Sequence, residues 1–361
     1  MALIEATVQP LTRCGYKPSE SLQNFEKAIN ETGTVAIGKA LHFSADIVCS
    51  GGYEPWVKAI WDYAIHHVGI ASPRLFVYLK KRFGELDELF KRYPDEQLYN
   101  MDEFHTRIGE INMVLREVPR RPKLVWPRVG PETHHDGWLR TVSGAPETAV
   151  IKKVWKAEGD TIALRYAGCE LLKSISDNST EKTLFWIRWL FDEETLARKE
   201  NKGASLSTIA RGPEGGHDVG HYITALFAEC YRDYAGRNLM RMNEEMVALV
   251  DLWRGGDKRI TPGARKHILG MIGQILCEVP RWKVPAAPAM IKDPVTVSRA
   301  VGQSGRFFRE VLTRPAVAHS KELMKAFRNK GHVATREKKK DSMEDKLTAY
   351  DRAMNEWLEK S

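Results

Sequence analysis

A chain of 361 residues, 43% hydrophobic and 28% charged with a formal charge of +8, has the composition of a soluble globular protein long enough for two ordinary domains or one helical array. No apolar run approaches the roughly 20 residues of a membrane helix, since Arg188 interrupts even Thr183–Phe191, and the start of the chain lacks the basic-then-apolar order of a secretory signal. The five cysteines (Cys14, Cys49, Cys169, Cys230, Cys277) form no CxxC pair, which argues for a reducing, intracellular compartment and against a zinc knuckle.

Taken in order, residues 1–18 read as a flexible lead punctuated by Pro10, Gly15 and Pro18. A first helix is predicted from Ser19–Ser21 to Glu31. Gly33 and Thr34 separate it from a second helix carrying Leu41, Ala45 and Val48, which Gly51 and Gly52 end. Glu54-Pro55 opens a third, with Trp56, Ile60, Ala64 and His67 at spacings of three and four, the mark of one buried stripe. The irregular phrase Gly69-Ile70-Ala71-Ser72-Pro73 stops it, and Pro73 starts the next helix. After a break at Pro94, Asp102 is a plausible N-cap for a helix built on Phe104, Ile108, Ile111, Leu115 and Val118.

From Pro119 to Pro146 prolines and glycines are dense, and this stretch is read as the domain boundary. Glu147–Ala157 and Thr161–Ser176 read as two helices, with a hairpin as the alternative because both phrases alternate. Asn178-Ser179-Thr180 caps a helix whose apolar residues (Leu184, Ile187, Leu190 with Trp186 and Trp189) run around much of its circumference. Residues 201–216 are Gly- and Ser-rich and read as a mobile loop. Helices over 218–235, 241–253 and 263–279 follow, the last capped by Thr261 with Pro262 in its first turn. After Pro294 come short helices at Phe307–Leu312 and Leu323–Phe327. A basic run follows, then an amphipathic helix with Leu347, Tyr350, Met354, Trp357 and Leu358.

The halves echo each other. The phrase beginning at Lys39 lines up with that beginning at Lys182, and Glu117-Val118-Pro119-Arg120 recurs as Glu278-Val279-Pro280-Arg281. Such internal similarity predicts an all-α chain of two similar helical modules. The division is then a lead (1–18), module 1 (19–128), a linker (129–146), module 2 (147–293) and a basic helical tail (294–361). Buried helices also look alike by chance.

Residues 39–127 carry a further signal. A helix ending in Val68-Gly69-Ile70-Ala71-Ser72-Pro73, and a later one running into Glu117-Val118-Pro119-Arg120-Arg121-Pro122-Lys123, resemble the C-terminal helical collar of replication-associated AAA+ ATPases. That group includes the bacterial recombination factors and the Werner-helicase-interacting protein, with clamp-loader collars as more distant kin. Gly69, Ala71 and Pro73 match its Gly-Leu-Ala-Asp-Pro phrase; Ser72 replaces the acid, and His66-His67 replace the usual Glu-Asp. The resemblance implies self-association or docking on a replication or repair protein, and a nuclear or replication-site location.

Phrases with catalytic character fall short of their requirements. Gly33–Lys39 nearly spells a P-loop, but Ala40 stands where a magnesium-holding Ser or Thr is needed and a helix, not a strand, precedes it. The ATPase half of the family is therefore read as absent. His217-Asp218 with His221 resembles the core of HD-type metal phosphohydrolases, in which a bound ion lowers the pKa of water. The chain has no histidine between Asp136 and His217 to complete that set, and Asp218 serves equally as a helix cap. His134-His135-Asp136 reads as a solvated linker pair. His66-His67 suits a helix end.

The expectation is a protein needing neither cofactor nor metal, whose partner is the nucleic-acid phosphate backbone rather than a membrane. The candidate binding residues are Arg116, Arg120, Arg121, Lys123, Trp126 and Arg128 at the exit of module 1, and Arg281 and Lys283 at that of module 2. Lys321, Lys325, Arg328, Lys330, Arg336, Lys338, Lys339 and Lys340 supply a basic arm. Trp126 and Trp282 either stack on bases or plug a seam between modules. The reading is a non-catalytic factor of DNA replication or repair that associates with nucleic acid. The alternatives are a scaffold, such as a virion component of a large DNA virus, and an HD-type hydrolase.

Overall fold

The computed structural model describes residues 10–135, 137–200, 203–213, 215–237, 244–282, 289–317 and 321–328. Fifteen α-helices are found among them: α1 (Pro18–Asn30), α2 (Thr34–Cys49), α3 (Tyr53–Tyr63), α4 (Arg74–Arg92), α5 (Asp95–Leu98), α6 (Asp102–Glu117), α7 (Trp138–Val142) and α8 (Ala149–Val154), then α9 (Ile162–Ser176), α10 (Thr180–Glu200), α11 (Val219–Arg237), α12 (Glu244–Asp251), α13 (Pro262–Trp282), α14 (Pro294–Leu312) and α15 (Lys321–Arg328). Two isolated β-bridges, Asp160 with Ser207 and Arg211 with Gly216, are the only strand-like pairings among the described residues. The all-α expectation holds, and α8 and α9 replace the alternative hairpin. Thr148 caps α8 by accepting the Ile151 N–H at 3.3 Å. No helix of the described residues is long and apolar enough to cross a membrane.

The chain divides into two compact units, and not in tandem. Unit 1 is Met1–Ile60, Arg82–Glu117 and Ile291–Ser361; unit 2 is Trp61–Lys81 and Val118–Met290. The Pro- and Gly-rich stretch expected as a linker lies wholly in unit 2, and the helix expected to open a separate tail returns to unit 1.

Unit 1 is organised around α2, in which every residue from Ala40 to Cys49 is buried, with Ser50 after it. A helix buried on all sides needs neighbours on all sides, and α1, α6 and α14 supply them. Gly109 of α6 lets α14 close in, since a Cβ there would meet Ser304 at 2.8 Å. Phe308 of α14 stacks on His105 of α6, with ring centroids 4.3 Å apart. Helix α15 packs on α1 with Leu323 and Phe327 buried. The final amphipathic helix expected near Leu347 lies outside the described residues.

Several buried polar groups in unit 1 are paired across elements. Trp56 donates to Ser44 Oγ at 2.9 Å, and Ser44 donates to Asn112 Oδ1 at 3.1 Å, tying α3, α2 and α6. Asp46 accepts from the Cys14 N–H and the Ser21 hydroxyl, both at 3.0 Å. Arg13 donates through Nε to the Cys49 carbonyl at 2.7 Å. Residues 10–17 are thus fastened to the end of α2, whereas the composition had placed them in a flexible lead. Gly33 sits at φ +93° directly before α2, so the near P-loop spacing is a helix boundary followed by helix.

Unit 2 is organised around α13, buried at every position from Ile268 to Cys277 and contacted by α9, α10, α11 and α12. Its start is as expected: Thr261 Oγ1 accepts the Ala264 N–H at 3.2 Å. Helix α3 runs into a π-helical turn (Ala64–Val68) and a 3₁₀ turn (Gly69–Ala71), both of which pack on α13. A second π-helical turn, Leu252–Gly256, follows α12. Trp61, just before the first π turn, donates to Asp257, just after the second, at 2.8 Å, and Arg259 binds the same carboxylate at 2.7 Å.

The stretch expected as a mobile loop is pinned by two buried charges. Arg211 pairs with Asp160, donates to Ser207 Oγ at 2.7 Å and lies over the Tyr222 ring. Glu194 of α10 accepts from the Ser205 hydroxyl at 2.8 Å and the Leu206 N–H at 2.9 Å. Glycine and serine here shape a loop that ionic anchors hold, a feature composition does not report.

In each unit the helix with the Lys-x-Leu phrase packs on its predecessor and on the helix carrying Glu-Val-Pro-Arg: α2 with α1 and α6, α10 with α9 and α13. The Glu-Val-Pro-Arg phrases differ in backbone. Helix α6 ends at Glu117, whereas α13 continues through Arg281 to Trp282.

Two outcomes are expected. Replacing Arg211 by Met leaves the Asp160 carboxylate buried without its counter-charge, at a cost of about 3–5 kcal/mol, read as a lower urea midpoint; adding Asp160→Asn recovers much of it. The second concerns pH. Burial holds the His42 and His105 imidazoles below the usual histidine value of 6.5, against the pull of Asp46 on the first and the Tyr99 carbonyl on the second. The unfolded chain therefore binds more protons just below that value. Their contribution is whole above about pH 6.5 and is lost as pH falls through the folded pKa values. Urea midpoints should drop between pH 7.5 and 5.5, less steeply in His105→Gln.

Candidate nucleic-acid interface

Helix α6 ends because Pro119 and Pro122 cannot continue it, and residues 118–130 leave without helix or strand structure. This exit segment belongs to unit 2 and is clipped to it along its length. The Arg121 N–H donates to the His67 carbonyl at 3.0 Å, bonding the segment to the end of the first π turn. Trp126 donates its indole N–H to His267 Nε2 at 3.3 Å, and Arg188 of α10 donates to the Pro127 carbonyl at 3.2 Å. Leu124 and Trp126 lie over Gly270 of α13, where a Cβ would stand 2.7 Å from Leu124 and 3.1 Å from Trp126. The absence of a side chain at 270 is what lets the segment lie so close.

The two phrases that carry the collar resemblance are therefore bonded to each other. His66 meets His267 edge-on at 4.5 Å, and Tyr63 stacks on His67 at 5.0 Å. The Arg120 guanidinium lies 5.8 Å from the centre of the Tyr63 ring and stays exposed. Lys266 reaches over the rings of Trp126 and Phe191, at 5.5 and 4.8 Å, with Asp192 at 3.8 Å. Burial pulls the Lys266 ammonium below its ordinary pKa, opposed by Asp192.

Of the residues expected to bind nucleic acid, Arg120, Arg121, Lys123, Trp126 and Arg128 share this segment. Arg120, Lys123 and Arg128 are exposed. Trp126 is half-buried against α13, within unit 2 rather than at a seam between modules. Arg116 belongs to unit 1 and does other work. Its guanidinium donates to the carbonyls of Ala28 and, at 2.8 Å, Glu31, so it caps the end of α1. Lys325 is exposed on α15. The side chains of Arg281, Lys283, Lys321, Arg328, Lys330, Arg336, Lys338, Lys339 and Lys340 lie outside the described residues. Sequence reading did not single out Lys266, His267 or Arg188. The run Arg265-Lys266-His267 was visible, but only the fold sets it beside the exit segment.

The other histidine phrases resolve locally. Asp218 accepts the His221 backbone N–H at 3.0 Å and its ring Nδ1 at 2.8 Å, the geometry of a cap for α11. Burial works to raise that carboxyl, but the bonds from His221 outweigh it and hold it low. His134, expected in solvent, is half-buried instead: it stacks on Trp189 at 5.3 Å and bonds Glu193 at 2.6 Å. Among the described residues no three His, Cys, Asp or Glu side chains are placed to hold a metal ion.

No family model, curated protein or solved structure matches the chain.

Arg116→Met should destabilise the protein by about 1.5–3 kcal/mol, as loss of a charged hydrogen bond to buried carbonyls does, measured by urea unfolding. Nucleic-acid affinity per folded molecule should not change.

Proposed function

We propose that this protein is a non-catalytic, nucleic-acid-associated factor of DNA replication or repair, which holds the phosphate backbone through the exit segment of unit 2. The observation that carries the reading is the way the segment is fastened. Its anchors are backbone groups of Arg121 and Pro127 and the edge of Trp126, so the cations between and beside them remain exposed. Side chains presented from a clipped segment meet a polyanion with little further loss of conformational freedom. The resemblance to replication collars falls on the same residues and supports the same reading.

Contacts of this kind are to phosphates, because the indole that would read bases is packed away. Binding is then sequence-tolerant and weakens with salt, the slope of log K against log salt being about 0.9 per duplex phosphate neutralised and about 0.7 on single strands. The test is fluorescence anisotropy with labelled duplex and single-stranded oligonucleotides of unrelated sequence across a salt series. The double variant Arg120→Glu, Lys123→Glu should lower affinity and flatten the duplex slope by about 1.8. Absence of binding by the wild type at roughly 50 mM salt, where counterion release favours contacts, would sink the proposal and leave a scaffold role.

A further inference from the structure

On α13, facing Trp126, stands a titratable group whose two ring nitrogens have different partners. His267 Nε2 lies 3.3 Å from the Trp126 Nε1–H, which can only donate. His267 Nδ1 lies 3.2 Å from the Gly263 carbonyl, which can only accept. Both bonds form together in one state alone: neutral imidazole with its proton on Nδ1. A second proton, on Nε2, would set two N–H groups against each other and break the bond to Trp126.

We propose that His267 is the positioning residue of the exit segment, holding Trp126 on α13 while its imidazole is neutral and releasing it when Nε2 is protonated. The segment has a backbone clip on each side of Trp126, at Arg121 and Pro127. The indole is the side-chain anchor between them, lying against Gly270 where no side chain of α13 intervenes. Losing its polar bond leaves Leu124 and Trp126 held by apolar contact and by the Lys266 ammonium over the indole, at the level of Arg120, Lys123 and Arg128.

The groups facing His267 set the pH at which this happens. Lys123 on the exit segment and Lys266 on its own helix are cations and oppose a further charge. His66 of the π turn meets the ring edge-on. From α10, Asp192 and Arg188 act through Lys266, which Asp192 attracts at 3.8 Å and Arg188 repels. Partial burial is the largest influence and also disfavours the imidazolium, while the Gly263 carbonyl favours it. The release therefore falls below the ordinary histidine value of 6.5.

The segment's consequence for binding rests on the proposed phosphate interface; the positioning itself does not. The experiment is ¹H–¹⁵N spectroscopy of the tryptophan indoles of the full chain from about pH 8 to pH 5, the range spanning histidine titration, with Trp126 assigned by Trp126→Phe. The Trp126 indole proton should move upfield as the His267 ring C–H signal titrates, with a shared midpoint below 6.5. In His267→Gln, whose side-chain oxygen accepts the same bond without titrating, the Trp126 signal should stay fixed. His66→Gln should keep the titration, which separates the two imidazoles. An indole signal that stays still while His267 titrates, or one that still titrates in His267→Gln, overturns the inference. Oligonucleotide anisotropy then reads the consequence. Wild type and His267→Gln should bind alike at pH 7.5, with the variant several-fold tighter at pH 5.5. Equal affinities at both values remove the link to binding. If neither protein binds at any pH, it is the interface reading that fails, and the indole titration still decides the role of His267.

Discussion

A helix with no solvent-facing side must be covered from every direction, and in unit 1 that helix is α2. From Ala40 to Cys49 it offers apolar residues around its whole circumference, along with Ser44 and Asp46, which need partners of their own. The chain on either side supplies α1 and, after a break, α6, and α14 completes the cover from nearly 250 residues further along, the helix starting only at Pro294. Burial of this kind contributes about 25 cal/mol per Å² of apolar surface. It is the physical reason that the carboxy-terminal part of the chain belongs with the amino-terminal part. The discontinuous units are a consequence of covering α2, not of a linker placed between two finished domains.

Unit 2 solves the same problem around α13 and gains a surface from the solution. Between Ile268 and Cys277 the helix is buried throughout, and part of its cover is not helix but the irregular segment 118–130. Irregular chain leaves backbone N–H and C=O groups to be satisfied. Here the His67 carbonyl and the Arg188 guanidinium satisfy two of them. Leu124 and the Trp126 indole pack on α13, while Arg120, Lys123, Val125 and Arg128 are exposed.

Buried charge recurs as a means of fixing irregular chain. Arg211 with Asp160, Glu194 with Ser205 and Leu206, and Asp257 with Trp61 and Arg259 each hold a segment that has no regular hydrogen-bond ladder. Ion pairs of this type add little net stability when compared with apolar replacements, but breaking one is costly. Their effect is to select one arrangement of loop 203–216 and of the turn after α12. Histidines belong to the same pattern: His105, His134 and His267 are ring partners as much as titratable groups, each packed against an aromatic side chain.

By itself the sequence determined the helices and most of their ends. Apolar spacing of three and four residues, Pro262 in the first turn of α13, and Thr261 and Asp218 as caps are local signals that local geometry obeys. The same local logic exposed Gly33–Lys39 as a helix boundary and the run of cations from Arg116 to Arg128. Only the tertiary structure decided which of those cations face outward. Arg116 and Arg120 are four residues apart, yet one caps α1 in unit 1 and the other lies over Tyr63 in unit 2, because Pro119 redirects the backbone between them. Nor does spacing along the chain reveal that His66, Trp126 and His267 meet, or that α14 returns to α2. Those pairings depend on which buried faces remain to be covered once the local helices have formed, and that is a property of the whole chain.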